Sequence, residues 1–340
     1  MYDNFLHFHN YFMDAGRIPF VVVAMFITAL AGMVSGPLAG NANPFIWQIC
    51  DLLFGPAGDK LDRTNRKPKD LFFRGTFFTV ILLVFALVVS KPLAQLTVQS
   101  TAIEGLIVIS CLSTGSIWYM VLKLYFTLQK DGKAQGGYYG LARSTRVDLN
   151  SVDDYGITRE GLAYSAVSFD KGLVAPSLWY LIGGVPFLIV YSVISFASWR
   201  FGKYGFTNGF GKSALALERL MGYVPSLFSG AIYTLASAVA PSANMVQSFK
   251  AWWQVKDKVP YEQGGVMLSS LAWSLGVSLG GPVQDISGKT LGKVWVGPEN
   301  ASAKIEAFHL KRGIVINIVA HLIFLLSISS AYVYSGNVFE

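Results

Sequence analysis

The chain has 340 residues, 53% of them hydrophobic and only 14% charged, with a mean hydropathy of +0.46. That balance excludes a soluble domain, whose surface must be solvated, and points to an integral membrane protein. The net charge is +7, but the basic residues sit in short loops beside apolar runs. There they act as orientation signals and as contacts for the lipid bilayer, so no nucleic-acid partner is indicated.

Residues 1–17 mix Phe5, Leu6, Phe8, Tyr11 and Phe12 with polar residues and read as an interfacial N-terminal segment, too short and too polar for a cleavable signal peptide. Pro19 to Leu38 is the first predicted span, ended by Gly36-Pro37. Phe45 to Phe54 is apolar but below spanning length, hence re-entrant or interfacial. Gly55 to Arg74 then gathers Lys60, Arg63, Arg66, Lys67, Lys69 and Arg74, which the positive-inside rule places in the cytoplasm. Leu71 to Ser90 crosses outward, Lys91 to Ala102 is a short turn, and Ile103 to Phe126 crosses back.

A long polar region, 127–172, follows on the same side and carries Arg143, Ser144, Thr145, Arg146 and Asp148, then a helix from Thr158 with Glu160 near its start. The run Leu173 to Trp199 is long enough to cross a bilayer but is broken by Gly183-Gly184 and Pro186. The loop after it, Arg200 to Met221, sets Arg200, Lys203, Lys212 and Arg219 against Glu218, so it also asks to be cytoplasmic, which a single crossing contradicts. Either the run is a re-entrant pair of half-helices, or this basic loop lies on the outer face. Tyr223 to Ala240 is the next span, Val266 to Gly281 is too short and too rich in small residues to be one, and Gly313 to Ser335 is the last. The expected fold is all-α, a polytopic membrane protein with about five transmembrane helices, in which residues 18–340 form one domain with polar regions at 127–172 and 242–312.

Candidate chemistry is sparse. Cys50 and Cys111 have no CxxC or CxxH context, and His7, His9, His309 and His321 are scattered, so no metal site is indicated. His321 is expected to pack between helices. Gly205 to Ser213 (GFTNGFGKS) has the composition of a phosphate cradle but not the spacing of one. Arg143 and Arg146 have the guanidinium forks that grip anions.

Four landmarks, in one order, resemble the CobD/CbiB family of cobalamin-biosynthesis membrane proteins. Asp51-Leu52-Leu53-Phe54-Gly55 resembles its early DLLxGDP, and DKGLVAPSLW (Asp170 to Trp179) its DGVxAPLFW. Gly202, Phe210, Gly211, Leu217, Glu218, Leu220 and Pro225 echo a third block, and YEQGGVMLSSLAWSLGVSLGGP (Tyr261 to Pro282) a fourth. The resemblance covers the chain from about Asp51 onward. It implies an adenosylcobinamide-phosphate synthase, an ATP-dependent ligase attaching aminopropanol phosphate to adenosylcobyric acid in the bacterial inner (cytoplasmic) membrane, with ATP and Mg²⁺ if that reaction is retained and no other cofactor evident.

The family's acids and amides are largely missing. Ala163, Tyr164, Ala166, Val167 and Ser168 replace its ESxAEN, Lys171 its Asp, Ser195 and Ser198 an Asn and an Asp, and Gln263 and Leu268 an Asn and a Glu. Two functional classes follow. One is a ligase rebuilt on Asp51, Asp148, Glu160, Asp170 and Glu218, with Arg143, Arg146, Lys171, Lys212, Arg219 and Gln263 binding a cobamide precursor. The other, which the lost carboxylates favour, is a divergent or catalytically inactive member, a structural or regulatory protein similar to AmpE that engages a membrane-protein partner or a second copy of itself.

Overall fold

The structure, a computed structural model, describes residues 14–63, 66–131, 137–202, 209–241, 243–253, 259–285, 290–291 and 294–338. The expected interfacial segment therefore lies outside the described residues up to position 13, as do Lys203 and the start of the glycine-rich loop. Among the described residues five helical segments are long and apolar enough to cross a membrane: Ala15–Ser35, Pro68–Gln99, Thr101–Lys130, Asp154–Phe201 and Ala307–Ser335. Their outward faces carry exposed Leu30, Phe73, Phe77, Val88, Leu322 and Leu326, an apolar surface suited to lipid rather than water.

Helix α1 (Ile18–Ser35) has Pro19 in its first turn, where a missing N–H costs nothing. Helix α2 (Phe45–Leu61) holds the short apolar piece, is not among the five long apolar segments, and packs mainly on the helix at 175–201. Helix α3 (Pro68–Gln99) continues through Lys91 and Pro92, so the turn expected at Lys91 to Ala102 shrinks to Ser100. The return crossing is two helices, α4 (Thr101–Cys111) and α5 (Gly115–Asp131), interrupted at residues 112–114. At that break α1 and α5 cross with their backbones in contact. A Cβ on Gly115 would sit 2.0 Å from the Ala29 carbonyl, and one on Gly32 2.1 Å from the Ser116 amide nitrogen.

After a short helix α6 (Tyr139–Thr145), helix α7 (Asp154–Phe169) starts on an Asp153 cap that accepts from the Gly156 amide at 2.8 Å. It passes through one π-helical turn, Asp170–Val174, into α8 (Ala175–Phe201). Inside α8 the helix breaks at Gly183 (φ −132°, ψ 16°) and Gly184 (φ 65°, ψ −158°). The second conformation is open to glycine and strained for any other residue. The chain reverses there. Lys171, before the break, and Ser195 and Ser198, after it, all bond the carboxylate of Glu218, although a straight helix would hold Lys171 and Ser198 about 40 Å apart. The central run is thus the re-entrant pair of half-helices.

This reversal removes the conflict over the basic loop. Phe201 packs on Gly58, Arg200 pairs with Asp59, Phe210 lies against Gly75 and Ser213 bonds Thr76, so the chain leaves α8 on the face where α2 ends and α3 begins. Helix α9 (Lys212–Val239) covers the expected span from Tyr223 to Val239 and begins eleven residues before it, at Lys212. Its inner face is lined by Glu218, Ser226, Ser229, Thr234 and Ser237, and it packs on α8 and on two further helices, α11 (Gly265–Leu275) and α12 (Ala307–Val338). Helix α10 (Met245–Lys250) precedes α11.

Three short strands, β1 (Val147–Asp148), β2 (Val283–Asp285) and β3 (Thr290–Leu291), pair antiparallel in that order, with Val147 opposite Asp285. They tie the two polar regions together at the end of the bundle where α6 sits. His321 accepts its place in the core: its Nδ1 lies 2.7 Å from the Asn317 carbonyl and its ring packs on Phe169 and Trp118.

Candidate functional site

The reversal in α8 and the π turn before it build one buried polar centre. Glu218 is wholly buried, and Lys171 Nζ lies 2.9 Å from its Oε1 and 3.0 Å from its Oε2. Ser195 Oγ donates to Oε1 at 3.1 Å and Ser198 Oγ to Oε2 at 2.7 Å. Ser195 and Ser198 are three residues apart and so share a helix face. Asp170, also buried, accepts from Ser229 Oγ at 2.8 Å on the other side of the π turn. The ring of Tyr261 lies 4.6 Å from the Lys171 ammonium, and burial holds its phenol well above the ordinary range.

Lys171 also lines a cavity roofed by Trp47 and Trp199, whose rings stand 5.6 Å apart. Glu160, Ala163, Val167 and Lys171 line one wall of it, the spacing of a single face of α7 continued into the π turn. Three of those four positions are ones where the family motif has acids. Here they are Ala, Val and Lys, which leaves Glu160, one turn earlier, as the carboxylate on that wall. Gln263 lines the opposite side and its Oε1 accepts from the Val294 amide at 2.8 Å. Tyr164 reaches across to Asn43 Oδ1 at 3.0 Å, and Ser113 bonds the Ala42 carbonyl.

The residues present do not fit a divalent cation at this centre. Mg²⁺ requires a near-octahedral shell of oxygens, usually with more than one carboxylate or a phosphate to share. Both oxygens of Glu218 instead face an ammonium and two hydroxyls. Among the described residues no group of three His, Cys, Asp or Glu side chains is placed to hold a metal.

The remaining candidates lie elsewhere. Asp51, Asp148, Arg143 and Arg146 share a second, open cleft between α2 and α6. Lys212 and Arg219 are exposed on α9 and line neither place. The described glycines of the supposed phosphate cradle serve packing: a Cβ on Gly209 would lie 2.4 Å from the Pro68 carbonyl, and one on Gly211 2.0 Å from that of Phe201. Sequence reasoning missed Trp47, Asn43, Ser113 and Tyr164 as cavity residues. Ser195 and Ser198 carried a signal, since both fall at motif positions three residues apart.

The family described as CobD/Cbib protein matches residues 51–316, which takes in the reversal, the buried centre and the cavity wall. Over 277 residues the chain is 26% identical to the cobalamin biosynthesis protein CobD of Brucella anthropi, covering 78% of this chain and 83% of that one. It is 27% identical over 208 residues to the CobD of Brucella suis, 58% of this chain and 63% of the relative, and 29% identical over 193 residues to that of Rhizobium meliloti, 54% and 57%. No solved structure matches the chain. With more than half of its length inside the match, the chain belongs to the CobD/CbiB family of cobalamin-biosynthesis membrane proteins.

Proposed function

We propose that this protein serves cobalamin biosynthesis as a CobD/CbiB-type membrane protein that keeps the binding cavity but does not join aminopropanol phosphate to adenosylcobyric acid. One observation carries the reading: the residues standing at the family's polar motif positions, Lys171, Ser195 and Ser198, converge on Glu218 and satisfy it completely. Amide formation at the expense of ATP needs metal-bound phosphates and a group to take the amine proton. An ammonium locked onto a carboxylate supplies neither. The cavity, walled by Trp47, Trp199 and Tyr164, holds about 70 Å³, room for one arm of a cobamide precursor or for a partner's side chain. We place the protein in the bacterial cytoplasmic membrane with the face bearing Arg63, Arg66, Arg200 and Lys212 inward, on the positive-inside argument.

Glu160 favours a second reading, a ligase rebuilt around the one acid on the cavity wall. Complementation of a strain lacking its authentic synthase separates the two. Our reading expects no growth on a medium that demands the synthase, and no Mg²⁺-dependent ATP hydrolysis stimulated by a cobyric-acid substrate. Growth that is lost on Glu160→Gln, with at least about a 10²-fold fall in turnover, would establish the rebuilt ligase instead.

A further inference from the structure

The cavity under Trp47 and Trp199 is enclosed by side chains that are themselves buried, Asn43, Ser113, Ile117, Glu160 and Leu268 among them. An occupant larger than water enters only if a wall moves. The walls differ in how firmly they are held. Helices α7 and α11 bury most of their residues in the core. Helix α2 packs mainly on α8 and leaves Leu52 and Leu53 79% and 58% exposed, which makes it the least embedded wall.

The seam between α2 and the end of α8 follows one face of α2, at positions 47, 51, 55, 58 and 59. Trp47 meets Trp199. Arg200 Nε donates to Asp51 Oδ1 at 2.8 Å, and one terminal nitrogen reaches both oxygens of Asp59 at 2.8 and 2.6 Å. Gly55 and Gly58 put no side chain into the seam, and a Cβ on Gly58 would sit 2.1 Å from the Phe201 ring. Beyond the tryptophans, the polar fastening is one guanidinium shared by carboxylate side chains that stay 32% and 56% exposed. Pairs so open to water contribute little, and salt screens them. The segment that leads into α2 is fastened better: the Ala42 amide donates to Ser144 Oγ at 2.8 Å, the Asn43 side chain to the Ser144 carbonyl at 2.9 Å, and the Tyr164 hydroxyl to Asn43 Oδ1 at 3.0 Å. One anchored end and one end held by exposed charges is the arrangement of a hinged flap.

We propose that α2 is the door of this cavity and that Arg200 is its latch: entry of an occupant swings α2 away from the end of α8, breaking the pairs of Arg200 with Asp51 and Asp59 and parting Trp47 from Trp199. Arg200 is in this role a positioning residue, which touches no occupant and sets how often the cavity opens. The inference rests on the reading of the cavity as a place where something binds, but opening is visible without a ligand, so the two fail separately.

Two thiols report the door in the full chain in detergent. Cys50 lies on α2 and is buried, and Ala163 lies on the cavity wall. Labelling by N-ethylmaleimide is timed for Cys50 in a Cys111→Ala background and for Ala163→Cys in a Cys50→Ala/Cys111→Ala background. Arg200→Gln should speed both at least about fivefold, the scale of exposed ion pairing, and Asp51→Asn/Asp59→Asn should do the same. Added NaCl should speed both thiols while Arg200 is present and leave the Arg200→Gln rates unchanged. Ala236→Cys, buried in α9, should keep its rate throughout, because only loss of the fold exposes it. Unchanged rates at both reporters would mean that the ion pairs hold nothing shut. Faster labelling of Cys50 alone would mean that α2 moves without opening the cavity, and faster labelling at all three positions would mean unfolding. Any of these three results overturns the proposal. If the latch behaves as expected but a cobyric-acid substrate does not slow labelling of Ala163→Cys, the latch stands and the reading of the cavity as its binding place falls.

Discussion

Lys171 Nζ contacts both carboxylate oxygens of Glu218, at 2.9 and 3.0 Å, from a π-helical turn at one end of a reversed helix pair. The carboxylate has no exposure to water, and its two other partners are hydroxyls. Removing one partner of such a pair strands a charge where it cannot be solvated. Lys171→Met should therefore lower stability by about 3–5 kcal/mol, whereas Lys171→Met/Glu218→Leu, which removes both charges, should recover most of the loss. Thermal unfolding in detergent reads both. A Lys171→Met protein as stable as wild type would contradict the buried pair. For the same reason a loss of cellular function on Glu218→Ala would report folding, not chemistry, which is why Glu160→Gln is the more informative substitution.

The reversal rests on Gly184, whose φ of 65° and ψ of −158° lie where a Cβ is strained. Gly184→Ala should cost about 1–3 kcal/mol in thermal unfolding. Gly105, in the middle of α4, offers the contrast, since a Cβ there meets nothing within 4 Å. Gly105→Ala should stabilise by up to about 1 kcal/mol, the helix-propensity difference. Equal effects of the two would mean that α8 does not turn at Gly184.

Because the chain returns to the side it left, a cysteine placed at Lys212 should be labelled by an impermeant maleimide from the same side as one at Arg63, and from the opposite side to one at Ser100. The native thiols do not interfere. Cys50 is buried, and burial, with the nearby Cys111 and Asp51, pushes its thiol up to about 12, so that it holds almost no thiolate at pH 7–8. Labelling of Lys212→Cys and Arg63→Cys from opposite sides would restore a single crossing by α8.

The membrane class and the apolar frame were legible because hydropathy over 20 residues is a long-range property that no single packing detail overrides. Pro92 shows the limit of local signals. With Lys91 it reads as a turn, yet α3 runs through it, as membrane helices tolerate an interior proline. Tyr223 to Ala240 shows another limit. The apolar run lies in a longer helix, and Glu218, Ser226, Ser229, Thr234 and Ser237 line the face that packs inward, a pattern of contacts visible only once the partners are placed. The site was half legible. The motif positions that hold Lys171, Ser195 and Ser198 were readable as departures, but nothing in a linear sequence says that positions 24 to 27 residues apart meet on one carboxylate. Trp47 and Asn43 come from a segment without a motif, and Tyr164, although at a motif position, meets Asn43 only through tertiary packing.

The charge at the centre gives the last prediction. Both oxygens of Glu218 are taken by the Lys171 ammonium and two serine hydroxyls, so nothing near Glu218 calls for a divalent cation. At equal ionic strength, Mg²⁺ should shift the wild-type unfolding temperature no more than Na⁺ does. Lys171→Asp/Ser198→Asp would put two further acids beside Glu218 in place of an ammonium and a hydroxyl, a carboxylate set that is unstable alone and suited to a hard cation. That variant should unfold at a lower temperature than wild type without metal and be rescued by Mg²⁺, by about 2.7 kcal/mol once the ion stands at a hundred times its dissociation constant. Rescue by Na⁺ alone would mean screening instead of coordination. Mg²⁺-specific stabilisation of the wild type, of similar size, would mean that the centre already holds a metal in spite of Lys171, and the reading of this protein as one without the ligase step would fall with it.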